Sequence, residues 1–309
     1  MAPRHDTVLL HEAVDALVGN PAGVYVDGTF GRGGHSREIL SRLDADGRLI
    51  AVDKDEEAER EALELAGADP RFSFVRGSFA ELPAILARLG VDAIDGLLLD
   101  LGVSSPQLDV AERGFSFLRD GPLDMRMDRS RGESAAEWLG RAEVSEIETV
   151  LRDYGEERYA RRIAAALGRA RDAAPITRTA QLAAVVSEAH PRWEKHHHPA
   201  TRAFQAIRIR VNRELDDLDE LLEAALPLLR AGARLVVISF HSLEDRRVKQ
   251  YLRRMSRPTP APRGIPLRDS DLPPPPLRLV GKAQRATAGE ITLNPRARSA
   301  IMRCAERVA

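Results

Sequence analysis

Three acids stand where short apolar runs end. Val24-Tyr25-Val26 stops at Asp27, Leu49-Ile50-Ala51-Val52 at Asp53, and Leu97-Leu98-Leu99 at Asp100. A further run, Phe72-Ser73-Phe74-Val75, is followed by Gly77-Ser78-Phe79. After Asp27 comes Gly28-Thr29-Phe30-Gly31-Arg32-Gly33-Gly34-His35, which leads into a helical pattern at Ile39, Leu40 and Leu43. Such a turn and helix N-terminus offer backbone N–H groups to a ligand. An acid closing the second run can accept hydrogen bonds from the ribose of a nucleoside cofactor.

The glycines alone do not choose the cofactor. As a dinucleotide fingerprint, Gly31-x-Gly33-x-x-Ser36 lacks its third glycine, which weakens a nicotinamide reading. As a class I methyltransferase loop it has Thr29 where glycine is common. A turn that only packs a strand against a helix is the plain alternative. The position of Asp53 favours a nucleoside cofactor.

The elements that position these residues alternate. Leu9–Val18 reads as a first helix, Glu56–Leu65 as a helix with an acidic first turn, and Glu81–Leu89 as another. Strands alternating with helices predict a doubly wound parallel sheet, with ligands at the carboxyl ends of its strands. Asp27, Asp53, Phe79 and Asp100 are therefore expected at one crevice. From Pro106 the pattern becomes helical, around 135–139, 144–154, 159–171 and 179–190. Residues 106–207 read as a helical insertion, and 1–105 plus 208–309 as the core.

One long helix is expected from Ala200, with Phe204, Ile207, Val211, Leu215, Leu218 and Leu222 as its apolar stripe. Leu235–Ser239 reads as a central fifth strand, delivering His241, with Ser242 as N-cap of a helix over 246–255. Residues 257–289 read as a proline-rich surface loop. Ile291-Thr292-Leu293 leads to a last strand over 299–308.

The chain has 309 residues, 43% hydrophobic and 30% charged, which suits a soluble protein of one large or two ordinary domains. One cysteine, Cys304, excludes an intrachain disulfide and a cysteine zinc cluster, and fits a reducing cytoplasm. His196-His197-His198 cannot all point one way, so no metal is expected. Met1–Asp6 is no signal peptide, and no apolar run reaches membrane-spanning length, so no membrane role is expected. The net charge is −1, but residues 1–105 carry 10 basic and 19 acidic side chains, and 241–309 carry 15 basic and 6 acidic. One pole is thus suited to a polyanion.

Several segments together resemble the RsmH (MraW) family. They are His11-Glu12-Ala13-Val14, Asp27-Gly28-Thr29-Phe30-Gly31-x-Gly33-Gly34-His35, Asp100-Leu101-Gly102-Val103-Ser104-Ser105-Pro106-Gln107, Gly114-Phe115-Ser116-Phe117, Pro122-Leu123-Asp124-Met125-Arg126-Met127, His198-Pro199-Ala200-Thr201-Arg202-x-Phe204-Gln205-Ala206, Ser239-Phe240-His241-Ser242-Leu243-Glu244-Asp245-Arg246, and Asn294-Pro295-Arg296-Ala297-Arg298-Ser299-Ala300. The resemblance spans nearly the whole chain. It implies a class I (Rossmann-like) S-adenosylmethionine-dependent methyltransferase core with an inserted all-helical, RNA-recognising domain. It implies N4-methylation of a cytidine in the decoding region of 16S rRNA, with the small ribosomal subunit as partner. By the same resemblance Gly33, Gly34, His35, Asp53, Phe79, Asp100 and Gln107 bind the cofactor. Two departures are visible, in the extra histidines before His198 and in the proline-rich 257–289 stretch.

Methyl transfer from a sulfonium is an in-line displacement needing alignment more than covalent help. Cytosine N4 is a poor nucleophile, so an acceptor near its N–H and a base for its proton are wanted. Asp100, Ser105 and His241 are the candidates, each with a structural alternative: cofactor binding only, a turn before the insertion, or a structural histidine beside a helix N-cap. Carbon-5 methylation would need a cysteine nucleophile, and Cys304 is far in sequence from every strand-end motif. Phe115 and Phe117 are candidates to stack a flipped base, or to pin a loop. Arg202, Arg208, Arg210, Arg213, Arg246, Arg247 and Lys249, with Arg253 and Arg254 extending the run, are candidates for phosphate contacts. The competing readings are a methyltransferase with another RNA or protein substrate, and a non-catalytic ribosome-binding protein. The chain is expected to be a monomer or homodimer.

Overall fold

The computed structural model describes residues 7–192, 198–258 and 274–308. Met1–Asp6, His196, His197 and residues 259–273 of the proline-rich stretch lie outside the described residues. The chain divides into two units, Met1–Gly102 with Leu215–Ala309, and Val103–Glu214.

The first unit begins α1 (Leu10–Leu17), β1 (Val24–Asp27), α2 (Gly34–Arg42), β2 (Arg48–Asp53), α3 (Glu56–Ala68), β3 (Phe72–Arg76), α4 (Leu82–Arg88) and β4 (Ile94–Asp100). The second holds α5 (Ser105–Asp109), α6 (Ala135–Arg141), α7 (Val144–Gly155), α8 (Ala160–Ala173), α9 (Thr179–Ala189) and α10 (Ala200–Asn212). The chain then continues through α11 (Glu214–Leu228), β5 (Leu229–Ser239), α12 (Ser242–Met255), β6 (Leu277–Leu279), β7 (Gln284–Arg285), α13 (Ala288–Leu293) and β8 (Ile301–Arg307).

The sheet order is β3-β2-β1-β4-β5-β8-β6, with β7 also on β8. Strands β1 to β5 pair in parallel, and β8 runs antiparallel to β5 and β6. Alternate residues of each central strand feed opposite cores, as the two-residue strand period requires. Val26, Ile50, Leu97, Leu99, Leu235 and Val237 pack with Leu218 and Leu222 of α11 and Val248 and Leu252 of α12. Tyr25, Leu49, Ala51, Leu98, Val236 and Ile238 pack with Val14, Leu17, Ile39 and Leu40 of α1 and α2. The result is the three-layer α/β arrangement of a class I methyltransferase core.

The second unit has its own core, in which Trp138, Ile147, Leu151, Ile163, Leu167, Leu182, Phe204 and Ile207 are buried together. Each unit thus has the separate apolar centre that defines a domain.

Five sequence expectations need correction. The long helix is two helices, broken at Arg213, whose φ of 54° is left-handed. The apolar spacing runs on past the break, so periodicity could not show it. The second boundary lies at Glu214 and Leu215 rather than 207 and 208, because α10 packs against α7 inside the helical unit. β5 begins at Leu229, six residues early, through the exposed Arg230-Ala231-Gly232 that carries no apolar signal. Residues 288–293 form α13, begun by a Thr287 side chain that accepts from Glu290 N at 3.2 Å. The described part of 257–289 is not all loop, since it holds β6 and β7.

Candidate active site

The order of strands reverses between β1 and β4, with β2 and β3 on one side and β5 on the other. Open sheets bind ligands beyond the carboxyl ends of strands at such a switch point. Asp27 and Asp100 close the two strands that flank it, and Asp53 closes the next.

The turn after β1 is held by carboxylates. Asp53 accepts Gly31 N at 2.8 Å and Asp55 N at 2.9 Å. Asp27 accepts Thr29 N at 3.1 Å and the Ser36 hydroxyl at 2.7 Å. Thr29, the departure from glycine, accepts the Asp100 N–H through its hydroxyl oxygen at 2.6 Å, joining the ends of β1 and β4. Gly33 sits at φ 72°, where a side chain is strained, and a Cβ there would come within 2.6 Å of the Phe30 ring. Gly34 is close-packed instead, with Thr7 filling the place of a Cβ.

The electrostatics are acidic. Burial, opposed by the Ser36 and Thr29 hydrogen bonds, pushes the Asp27 carboxyl up to about 6. Burial, with Asp27 and Glu244 nearby, lifts Asp100 well above the ordinary carboxylate range. Burial also raises Asp53. Asp100 Oδ1 is buried without a hydrogen-bond partner. Its other oxygen lies 3.6 Å from His35 Nδ1. His35 is buried on the first turn of α2, and burial lowers it to about 4, so it is neutral at pH 7. An unpaired buried carboxyl beside other acids is costly, and a cation there would relieve it.

Phe79 opens a short 3-10 turn after β3 and is half-buried. The ammonium of Lys54 lies 6.0 Å from its ring centroid. Asp217 of α11 joins this neighbourhood: it is buried, ion-paired to Lys54, and accepts the Ser78 hydroxyl at 2.5 Å. The loops after β2 and β3 are thereby clamped together.

His241, not Ser242, is the N-cap of α12. Its Nδ1 accepts Glu244 N at 3.4 Å, and Glu244 in return accepts Phe240 N at 2.8 Å and His241 N at 3.2 Å. Its Nε2 is buried without a hydrogen-bond partner. The geometry places His241 as a cap, with Nε2 3.1 Å from Glu244 Oε1.

In the helical unit Ser105 and Gln107 lie on α5, both buried. The Gln107 side-chain oxygen accepts Ser104 N at 2.8 Å, closing a capping box. Phe115 is buried under the Arg113 guanidinium, 5.7 Å from its ring centroid. Phe117 stacks on His198 at 4.5 Å and meets Phe204 edge-on at 5.0 Å. Phe115 is thus buried in the loop, while Phe117 is half-buried with His198 stacked on it.

The basic candidates divide. Arg208 forms a two-pronged pair with Glu214, both distances 2.8 Å, and the side chains are only 14% and 9% exposed. Arg210 lies over Trp138 and reaches Glu146 at 3.4 Å. Arg213 is the left-handed residue between α10 and α11, and Arg202 is a half-buried residue of α10. Arg247 pairs with Asp219 at 3.0 Å, and Arg254 pairs with Glu223. Arg246, Lys249 and Arg253 are exposed on α12. Arg208 and Arg210, candidates for phosphate contacts, are both ion-paired within the helical unit. Their partners come from α11 and α7.

Sequence reasoning missed Thr29, Ser36, Lys54, Asp217 and Glu244 as parts of the site. For Ser36 a signal existed, a polar residue where the third fingerprint glycine would stand. Asp217 is one of several acids in Asp216-Asp217-Leu218-Asp219-Glu220, and nothing local distinguishes it.

A family model described as the MraW methylase family matches residues 2–308. "Ribosomal RNA small subunit methyltransferase H" of Thioalkalivibrio sulfidiphilus is 58% identical over 309 residues, covering 100% of this chain and 98% of that protein. The protein of the same name from Azoarcus sp. is 59% identical over 304 residues, covering 98% of this chain and 97% of its own length. No helix among the described residues is long and apolar enough to cross a membrane. The family model and both relatives span nearly the whole chain, and the chain belongs to the MraW methylase family.

Proposed function

We propose that the chain transfers a methyl group from S-adenosylmethionine to N4 of a cytidine in the decoding region of 16S rRNA. Two relatives, each matched over nearly its whole length, are named as methyltransferases of small-subunit ribosomal RNA. The observation that carries the choice of donor is the acidity of the crevice. Gly31 N–H is already given to Asp53, so the turn does not offer it to a pyrophosphate. Burial raises the Asp100 carboxyl, and Asp27 and Glu244 sit close enough to raise it further. Such a site repels the anionic pyrophosphate of a dinucleotide and suits a donor with sulfonium and ammonium charges.

The residues present fit that donor. Asp53 has lone pairs left for ribose hydroxyls after its two backbone bonds. Asp100 Oδ1 is a buried, unpartnered oxygen ready for an ammonium. Gly33, Gly34 and His35 shape the turn and Phe79 supplies an apolar wall, and the family resemblance adds Gln107. S-adenosylmethionine supplies an electrophilic methyl group on sulfur. The protein's part is to hold the cytosine amino group in line with it and exclude water. Asp100 and Ser105 are the proposed holders of the amino group, and His241, through Nε2, the proposed proton acceptor. The helical unit, 106–207 on the sequence reading and Val103–Glu214 in the structure, is proposed to recognise RNA.

The test follows tritium from labelled S-adenosylmethionine into small subunits, large subunits and free protein, all from a strain lacking the gene. Label in small-subunit RNA supports the proposal. Label in large subunits or protein overturns the substrate.

A further inference from the structure

Helix α12 carries its cations on two faces with different fates. Arg247 and Arg254 are paired to Asp219 and Glu223 of α11. Lys249 and Arg253, four residues apart and so on one face, are exposed and have no acid partner among the described residues. They line a pocket of about 230 Å³ with Lys282 from the turn after β6. Leu252, Leu279, Val280 and Cys304 form its floor. The fourth cation there, Arg303, is held by both oxygens of Asp245, at 2.8 and 3.1 Å. Three unneutralised charges thus converge over an apolar base.

That volume is below the roughly 300–1,000 Å³ of small-molecule sites. The pocket's charge excludes cationic ligands, and its shape suits a docked chain rather than an enclosed compound. Helix α12 also links it to the crevice. Glu244 lies by Asp100 at the N-terminal end, and Lys249 and Arg253 follow five and nine residues later. The offset along the axis is about 8–14 Å at 1.5 Å per residue, or a few phosphate spacings of a nucleic-acid strand at ~3.4 Å each.

We infer that the pocket of Lys249, Arg253 and Lys282 is a phosphate-docking site for the RNA strand that carries the target base. This rests on the proposed RNA substrate and extends it to a site outside both the crevice and the helical unit. The cations bind successive backbone phosphates, and the apolar floor receives sugar or base edges. Docking of this kind positions without reading sequence.

The experiment measures binding of a transcribed small-subunit rRNA fragment over a range of salt, and methyl transfer at varied RNA concentration. K249Q/R253Q is compared with R42Q/R230Q, which removes the same charge from surface positions that are already ion-paired. The inference expects K249Q/R253Q to bind about tenfold more weakly at 0.1 M salt, with a salt slope shallower by about 1–2. K282Q alone lowers the slope by about 1. KM for RNA rises, while kcat and S-adenosylmethionine affinity stay. R42Q/R230Q behaves as wild type. Equal losses in the two double variants, or none in either, overturn the docking site. If wild-type protein methylates no RNA, the functional reading falls separately, and the salt slopes still decide the pocket.

Discussion

Asp53 accepts the backbone N–H of Gly31 at 2.8 Å, so the end of β2 and the turn after β1 are one rigid piece. The residue read as a ribose acceptor therefore also builds the turn that faces the donor.

Replacing Asp53 with Ala removes that bond and the one to Asp55 N. Each hydrogen bond to a charged acceptor contributes about 1.5–3 kcal/mol. We expect S-adenosylmethionine affinity to fall at least about 30-fold by calorimetry. Asp53→Asn keeps one oxygen for Gly31 and loses less. Equal affinities for wild type and Asp53→Ala would show that the crevice does not hold the donor.

Donor affinity should depend on pH. Asp27 titrates near 6, raised by burial, and Asp100 is raised well above the ordinary range by burial first and by Asp27 and Glu244 second. A cationic donor favours their ionised forms, so binding releases protons and weakens as pH falls from 7 to 5. Free α-amino and α-carboxyl groups, near 8 and 3.5, titrate outside that window. Calorimetry in two buffers of different ionisation enthalpy reads the release directly. Proton uptake would contradict the acidic-crevice account.

Stability carries the same acid with a defined sign. The folded pKa of Asp27, about 6, lies above the ordinary 3.8. Its contribution is full below 3.8 and is lost as pH rises through 6. His35, lowered to about 4, acts oppositely: its contribution is present above 6.5 and lost as pH falls through 4. Asp27→Asn removes only the first. Its stability relative to wild type should rise by up to about 3 kcal/mol between pH 4 and pH 7.5. Urea unfolding at both pH values checks this, and parallel curves would refute it.

Arg208 separates folding from RNA contact. Removing one partner of a largely buried pair typically costs about 3 kcal/mol or more. Arg208→Ala should lower the stability of the protein by that order. Arg208→Met with Glu214→Leu should recover most of it. An Arg208→Ala protein of unchanged stability but weak RNA binding would return Arg208 to the interface.

The legible parts of this protein were local. An apolar run ending in an acid is a short signal, and Asp27, Asp53 and Asp100 all fall at strand ends. The glycine turn is equally local, and helices α6 to α9 were visible in their own period, whereas α5, only five residues long, was not. The clamp of Asp217 on Ser78 was not, because the two are 139 residues apart. Nor was the neutralisation of Arg247 by Asp219, 28 residues away. The break at Arg213 was hidden because one left-handed residue leaves the apolar spacing on either side undisturbed. Ser242 was read as the cap in place of His241 because Ser is the commoner cap, and an imidazole nitrogen does the same work here.

The product of the reaction tests the central claim most directly. Small subunits from a strain lacking the gene are incubated with the protein and methyl-deuterated S-adenosylmethionine, and the 16S rRNA is digested to nucleosides for mass spectrometry. The account predicts deuterated N4-methylcytidine, absent with Asp53→Ala. A methyl group on carbon 5, on ribose or on another base would contradict it.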